Sequence, residues 1–105
     1  MHLKFYCEIQ SVICANALSA LQVLNVEKFD LIVSDFHMPG MDGAEFLMLA
    51  NERWPFTRRI LLSGHRSADM LHECGHFCDE VLDKILAFEI ICEKICRHAK
   101  TQRPR

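Results

Sequence analysis

No stretch of the 105 residues holds the ~20 consecutive apolar side chains that a membrane helix needs, so no spanning segment is expected. The start, Met1-His2-Leu3-Lys4-Phe5-Tyr6, lacks an apolar core followed by a small-residue cleavage site, so no export signal is read there. Charge of one sign is missing too: 12 Lys and Arg stand against 14 Asp and Glu, a formal net charge of -2. No global field draws the chain to nucleic acid or to anionic lipid. A cytoplasmic chain with neither membrane nor nucleic-acid partner is therefore expected. Cysteine is not scarce: Cys7, Cys14, Cys74, Cys78, Cys92 and Cys96 are many for this length. Without an export signal they are read as buried or free thiols rather than a disulfide framework.

Half of the residues are apolar and a quarter are charged, the balance of an ordered globular domain. The length supports one domain, read as residues 1–100 with a basic, frayed tail at 101–105. Residues 3–9 alternate apolar and polar, which reads as a half-buried strand, and Val12, Ile13 and Cys14 read as a further extended run. Asn16 is a candidate cap for a helix over 17–26 with a broad apolar face of Leu18, Leu21, Val23, Leu24 and Val26. Leu31-Ile32-Val33 is a continuous apolar run that suits a strand covered on both faces. Pro39-Gly40 and Asp42-Gly43 mark a loop, and a helix over 44–53 follows, stopped by Pro55. Ile60-Leu61-Leu62 is a second buried strand. A helix over 67–74 follows it, with Gly75 as C-cap, and Val81-Leu82 is a third short strand. A last helix over 86–99 has the stripe Phe88, Ile91, Cys92, Ile95, Cys96 and Ala99.

Strands alternating with helices imply right-handed crossovers and a mostly parallel α/β sheet. Sites in such folds gather at the carboxyl ends of the strands. Here those ends carry Asp35, Ser63 and Lys84. A carboxylate is a nucleophile toward phosphorus, and a transferring phosphoryl group needs its charge balanced and its oxygens hydrogen-bonded. Lys84 offers the charge, Ser63 the hydroxyl, and the backbone carbonyl of His37 an oxygen for Mg²⁺.

The stretch Phe29-Asp30-Leu31-Ile32-Val33-Ser34-Asp35-Phe36-His37-Met38-Pro39-Gly40-Met41-Asp42-Gly43 resembles the third strand and following loop of response-regulator receiver domains. These are the phosphoacceptor modules of bacterial two-component signalling. Ile60-Leu61-Leu62-Ser63-Gly64-His65 resembles the family's fourth strand with its switch hydroxyl, and Val81-Leu82-Asp83-Lys84 its fifth strand with its lysine. The resemblance covers residues 11–100. It implies a flavodoxin-like fold with helices on both faces of the sheet. It also implies a phosphoacceptor role for Asp35, a metal-binding carbonyl at His37, a switch hydroxyl at Ser63 and a charge partner in Lys84. The implied cofactor is Mg²⁺, held by Asp35 and the His37 carbonyl. The implied partner is a sensor histidine kinase or a phosphotransfer protein.

Three departures from the family temper this. By alignment residues 1–10 fall near the end of the family's first helix, so the first strand and its two terminal acids have no counterpart and a truncated fold is expected. With one carboxylate in place of three, Mg²⁺ loses most of its charged ligands. Ile85 stands where a proline is usual, and Val81 where many receivers carry a switch aromatic. The final helix lacks a packing neighbour, and its Phe88, Ile91 and Ile95 stripe is expected to drive a homodimer, with elements exchanged, or to leave the fold poorly stable. The leading expectation is a phosphorelay receiver that accepts a phosphoryl group on Asp35 and is not an enzyme. The alternative is a degenerate receiver that serves only as a protein-interaction module. A phosphatase with Asp35 as nucleophile ranks last, because His37 stands where a second acid is needed. His72, Cys74, His76 and Cys78 do not have the spacing of the usual zinc pairs, and Arg97, Lys100, Arg103 and Arg105 read as a solvated tail.

Overall fold

Asn16 opens the first helix, α1 (Ala17–Val26), by accepting the Ser19 N–H on its side-chain oxygen at 2.9 Å, which satisfies one of the helix's orphan donors. The computed structural model describes residues 10–64, 68–86 and 88–100. The strand expected over 3–9, His65 and the tail at 101–105 lie outside these described residues. After α1 come β1 (Leu31–Asp35), α2 (Gly43–Arg53), β2 (Arg58–Ser63), α3 (Ala68–Cys74), β3 (Glu80–Asp83) and α4 (Phe88–Lys100). The three strands form one parallel sheet in the order β1-β2-β3. Parallel neighbours cannot be joined by a hairpin, so a helix carries the chain back each time.

Ile60 and Leu61 are successive residues of β2, point to opposite faces of the sheet, and are both fully buried. Both faces of β2 are therefore covered. On one face Leu61 and Val81 meet Leu24 of α1, Phe46 and Leu47 of α2, and Cys74, Phe77 and Cys78. On the other, α4 reaches Glu80, which shares a face with its partner Ile60. This is the α/β arrangement with helices on both faces that the strand-helix alternation predicts.

Four local expectations are corrected. Val12, Ile13 and Cys14 are not in a strand, and Ile13 is 93% exposed, because no described strand pairs with them. The apolar face of α1 is narrower than its composition: Ala17 and Leu24 are buried, and Leu18 is 69% exposed on the far side of the helix. β1 is not covered on both faces, since it is the edge of the described sheet and Val33 stands 38% exposed. Gly75 closes α3 through its N–H to the Leu71 carbonyl at 3.0 Å, but without the left-handed backbone of a glycine cap.

Cys14, Cys74, Cys78 and Cys92 are free thiols, as expected, whereas Cys96 is disulfide-bonded, which the sequence reading did not anticipate. Burial pushes the Cys78 thiol up to about 12, with Cys74 adding to the rise and Arg59 opposing it, so Cys78 packs as a small apolar side chain. Arg59 is the buried charge of the core. Its Nε donates to the Phe77 carbonyl at 2.6 Å, its Nη1 to the Thr57 carbonyl, and its backbone N–H to Asp79 Oδ2 at 2.8 Å. It thereby staples the turns at the amino ends of β2 and β3.

Leu47 has no exposed surface. Leu47→Ala is expected to lower unfolding free energy by roughly 2–5 kcal/mol. Leu18→Ala, on the exposed side of α1, is expected to cost under about 0.5 kcal/mol. Urea unfolding of the two variants measures both, and equal costs would contradict the burial of Leu47 and the exposure of Leu18.

Candidate functional site

The parallel register carries the three strand ends to one edge. Asp35, the last residue of β1, lies opposite Leu62, and Ser63, the last of β2, lies opposite Asp83. The ladder continues past the strands: Phe36 donates its N–H to the Leu62 carbonyl and Lys84 its N–H to the Ser63 carbonyl, both at 2.8 Å. These bonds hold the residues after Asp35 and Asp83 in line with the neighbouring strand. The Lys84 side chain then reaches across β2, and its Nζ lies 2.9 Å from Asp35 Oδ1. Ser63 is buried, one position beyond the residue paired with Asp35. Asp35 and Lys84, expected from the sequence, are thus in direct contact, and Ser63 belongs to the same rim.

The ion pair is open to water, with the Lys84 and Asp35 side chains 47% and 50% exposed. Such a pair contributes at most about 1 kcal/mol to stability. It does not hold the fold together; the buried strands hold it in place. A half-exposed ammonium paired with a carboxylate is instead able to turn from it to an incoming anion.

The loop after Asp35 is built to approach it closely. Gly40 takes a positive φ of 78°, the one such residue among those described, and turns the chain back. Asp42 caps α2 by accepting the Glu45 N–H at 2.8 Å, and Gly43 donates its N–H to the Phe36 carbonyl at 2.7 Å. A Cβ on Gly43 would sit 2.0 Å from the Asp35 carbonyl oxygen, so only glycine lets α2 begin here. The Ser34 hydroxyl donates to that same Asp35 carbonyl at 2.9 Å. Sequence reading placed Asp42 and Gly43 as turn and helix-start residues but missed the contact of Gly43 with Asp35. The Asp-Gly pair directly after a short loop was the available signal. Glu45 is the acid in the first turn of α2; the charge of Asp42, and its hydrogen bond, raise the Glu45 pKa and oppose the benefit an acid gains from the helix dipole there.

His37 is exposed, its ring edge-on to Phe36 at 5.0 Å. A cavity of about 290 Å³ opens beside β1, between Val12, Cys14 and Asn16 on one side and Val33, Asp35 and His37 on the other. Among the described residues no group of three His, Cys, Asp or Glu side chains converges to hold a metal ion. The Asp35 carboxylate is already paired with Lys84. This donor set does not form a ready site for Mg²⁺, which takes near-octahedral oxygen coordination.

The sequence matches the profile of the response regulator receiver domain over residues 4–95. It is 33% identical over 90 residues to the response regulator protein FleR of Pseudomonas aeruginosa, a match covering 85% of this chain and 19% of FleR. The chain therefore spans about a fifth of the length of that curated relative. Its structure is similar to the receiver domain of a Francisella response regulator, with a TM-score of 0.75, 23% identity, and coverage of 85% of this chain and 74% of that one. It is also similar to the response regulator TrrA of Thermotoga maritima in complex with Mg²⁺ and BeF, with a TM-score of 0.69, 24% identity, and coverage of 79% and 71%. At these identities the two structures speak to the fold.

The close approach of Gly43 has a direct consequence. Gly43→Ala is expected to lower stability by about 3 kcal/mol, because the methyl must displace the Asp35 backbone. Gly64→Ala, where an added Cβ meets nothing within 4 Å, is expected to be within about 0.5 kcal/mol of the parent. Thermal or urea unfolding of the pair separates the two cases.

Proposed function

We propose that this chain, which belongs to the response regulator receiver domain family, stores a signalling phosphoryl group on Asp35. A receiver domain of this kind takes its place in two-component signalling. The observation that carries the reading is the 2.9 Å contact of Lys84 Nζ with Asp35 Oδ1 at the carboxyl edge of a parallel sheet. With Oδ1 held by the ammonium, Oδ2 is the oxygen that attacks phosphorus. The donor is a phosphohistidine on a sensor kinase or phosphotransfer protein. The new O–P bond forms as the donor's N–P bond breaks, the released imidazole takes up a proton, and Asp35 becomes an acyl phosphate. Lys84 then faces the phosphoryl oxygens in place of the carboxylate, and the Ser63 hydroxyl supplies a further donor. The group is carried stoichiometrically, so the chain is not itself an enzyme in this reading. No step here is assigned to a metal, because the described residues do not assemble a site for one.

Changing Asp35 from a carboxylate to an acyl phosphate changes the charge and the partner of Lys84. Two surface conformations are then favoured to different degrees, which is the signal. The reading also places the protein in the cytoplasm, with the kinase; no helix among the described residues is long and apolar enough to cross a membrane. A homodimer belongs to the same proposal: Ile85 and Phe88, just beyond the rim, are 83% and 79% exposed and need a cover. Sedimentation over a range of concentrations checks it, and a monomer throughout would remove that part.

One observation favours a second reading. With no converging acids among the described residues to hold a cation, charge neutralisation falls to Lys84, and a receiver short of that help serves as an interaction module without phosphorylation. Intact mass spectrometry after incubation with acetyl phosphate, with and without Mg²⁺, decides between them. The phosphoacceptor reading expects a gain of one phosphoryl group, its loss in Asp35→Asn, and a rate lower by roughly 10²-fold in Lys84→Ala. No gain at saturating donor in either condition leaves the interaction module.

A further inference from the structure

α4 meets the sheet through one polar cluster. Lys94 Nζ donates to Glu80 Oε2 at 3.0 Å, and His98 Nε2 lies 2.7 Å from Glu80 Oε1. On the other side of the ring, His98 Nδ1 lies 3.4 Å from Arg58 Nη1, and that guanidinium nitrogen is 4.0 Å from Asp79 Oδ1. The His98 side chain is 16% exposed. The charges facing it include Glu80 from β3, Arg58 from β2, Lys94 from α4 itself and, through Arg58, Asp79 from the turn before β3.

The two ring contacts determine where the hydrogens are. A guanidinium donates and never accepts, so the Nδ1 that faces Arg58 is the acceptor. An ionised carboxylate only accepts, so the Nε2 that faces Glu80 carries the hydrogen. A neutral imidazole with its hydrogen on Nε2 satisfies both partners. An imidazolium satisfies one: it strengthens the bond to Glu80 but sets N–H against N–H at Arg58. Protonation therefore acts oppositely on the two attachments.

We propose that His98 is a proton-operated selector of how α4 is anchored. Neutral, it ties the helix to both β2 and β3; protonated, it ties the helix to β3 alone and hands Arg58 over to Asp79. Imidazole is the side chain whose charge changes between about pH 5 and 8. Glu80 stays ionised across that window. Burial pushes its carboxyl up, but hydrogen bonds from His98 and Lys94, and their charges, outweigh this and hold it below the usual carboxylate range. Glu80 opens β3 at its amino end, the end away from the rim where Lys84 follows the same strand. This inference does not depend on phosphorylation of Asp35.

Nitrogen NMR of the full chain reads the His98 tautomer directly, and double-mutant cycles by urea unfolding read each attachment. At about pH 8 the expected result is an Nε2–H tautomer with favourable coupling between Arg58→Met and His98→Gln. At about pH 5 that coupling is expected to vanish or change sign, while the coupling of Glu80→Gln with His98→Gln persists. An Nδ1–H tautomer at the higher pH, or an Arg58–His98 coupling unchanged between the two, overturns the proposal. Should a double variant fail to fold, the tautomer of the parent chain decides alone.

Discussion

The parallel register of three short strands is the constraint on which the rest depends. It places Asp35 opposite Leu62 and Ser63 opposite Asp83, and the next backbone bonds carry Phe36 and Lys84 along the same lines. Because a helix returns the chain between each pair of strands, all three carboxyl ends open on one edge. The energy that enforces this lies in Ile60, Leu61, Leu82 and the helices over them, where side chains have essentially no contact with water. The Asp35–Lys84 pair, half exposed, contributes little to the fold and is positioned by it. Stability and chemistry therefore reside in different residues, which leaves the site free to change its partner.

The site also has a rigid floor. The Asp35–Phe36 segment is held by β2 through the Leu62 carbonyl, by α2 through the Gly43 N–H, and by the Ser34 hydroxyl. The start of α2 cannot move closer, since Gly43 already lies against the Asp35 backbone. In the proposed reading a change at the carboxylate acts first on its ion-pair partner, Lys84.

Much of this was legible in the sequence, and the limits have physical causes. Asp35, Ser63 and Lys84 could be placed because each stands within two residues of the end of a short apolar run that reads as a strand, and strand ends in α/β folds share an edge. Asn16 could be placed because a cap acts locally, whereas Asp42, expected as a turn residue, proves to cap α2. Leu18 and Val33 misled because apolar character says that burial is favourable, not that a partner surface is present; Val33 lies on the edge strand of the described sheet, and Leu18 faces away from it. Gly75 ends its helix as expected yet without the left-handed turn, a distinction that depends on the path of the following residues. The contacts of Gly43 with Asp35, and of His98 with Glu80 and Arg58, join residues 8 to 40 positions apart and carry no periodic signal. Such contacts appear only once the strands are in register.

The central claim is that the oxygen held by Lys84 belongs to the carboxylate that receives the phosphoryl group. Borohydride reduction of the phosphorylated chain, followed by peptide mapping, locates an acyl phosphate by converting its carboxyl carbon to an alcohol. The account predicts that the reduced residue is at position 35 and at no other acid. Reduction at Asp30, Asp42 or Asp83 instead, with position 35 still an aspartate, would contradict it.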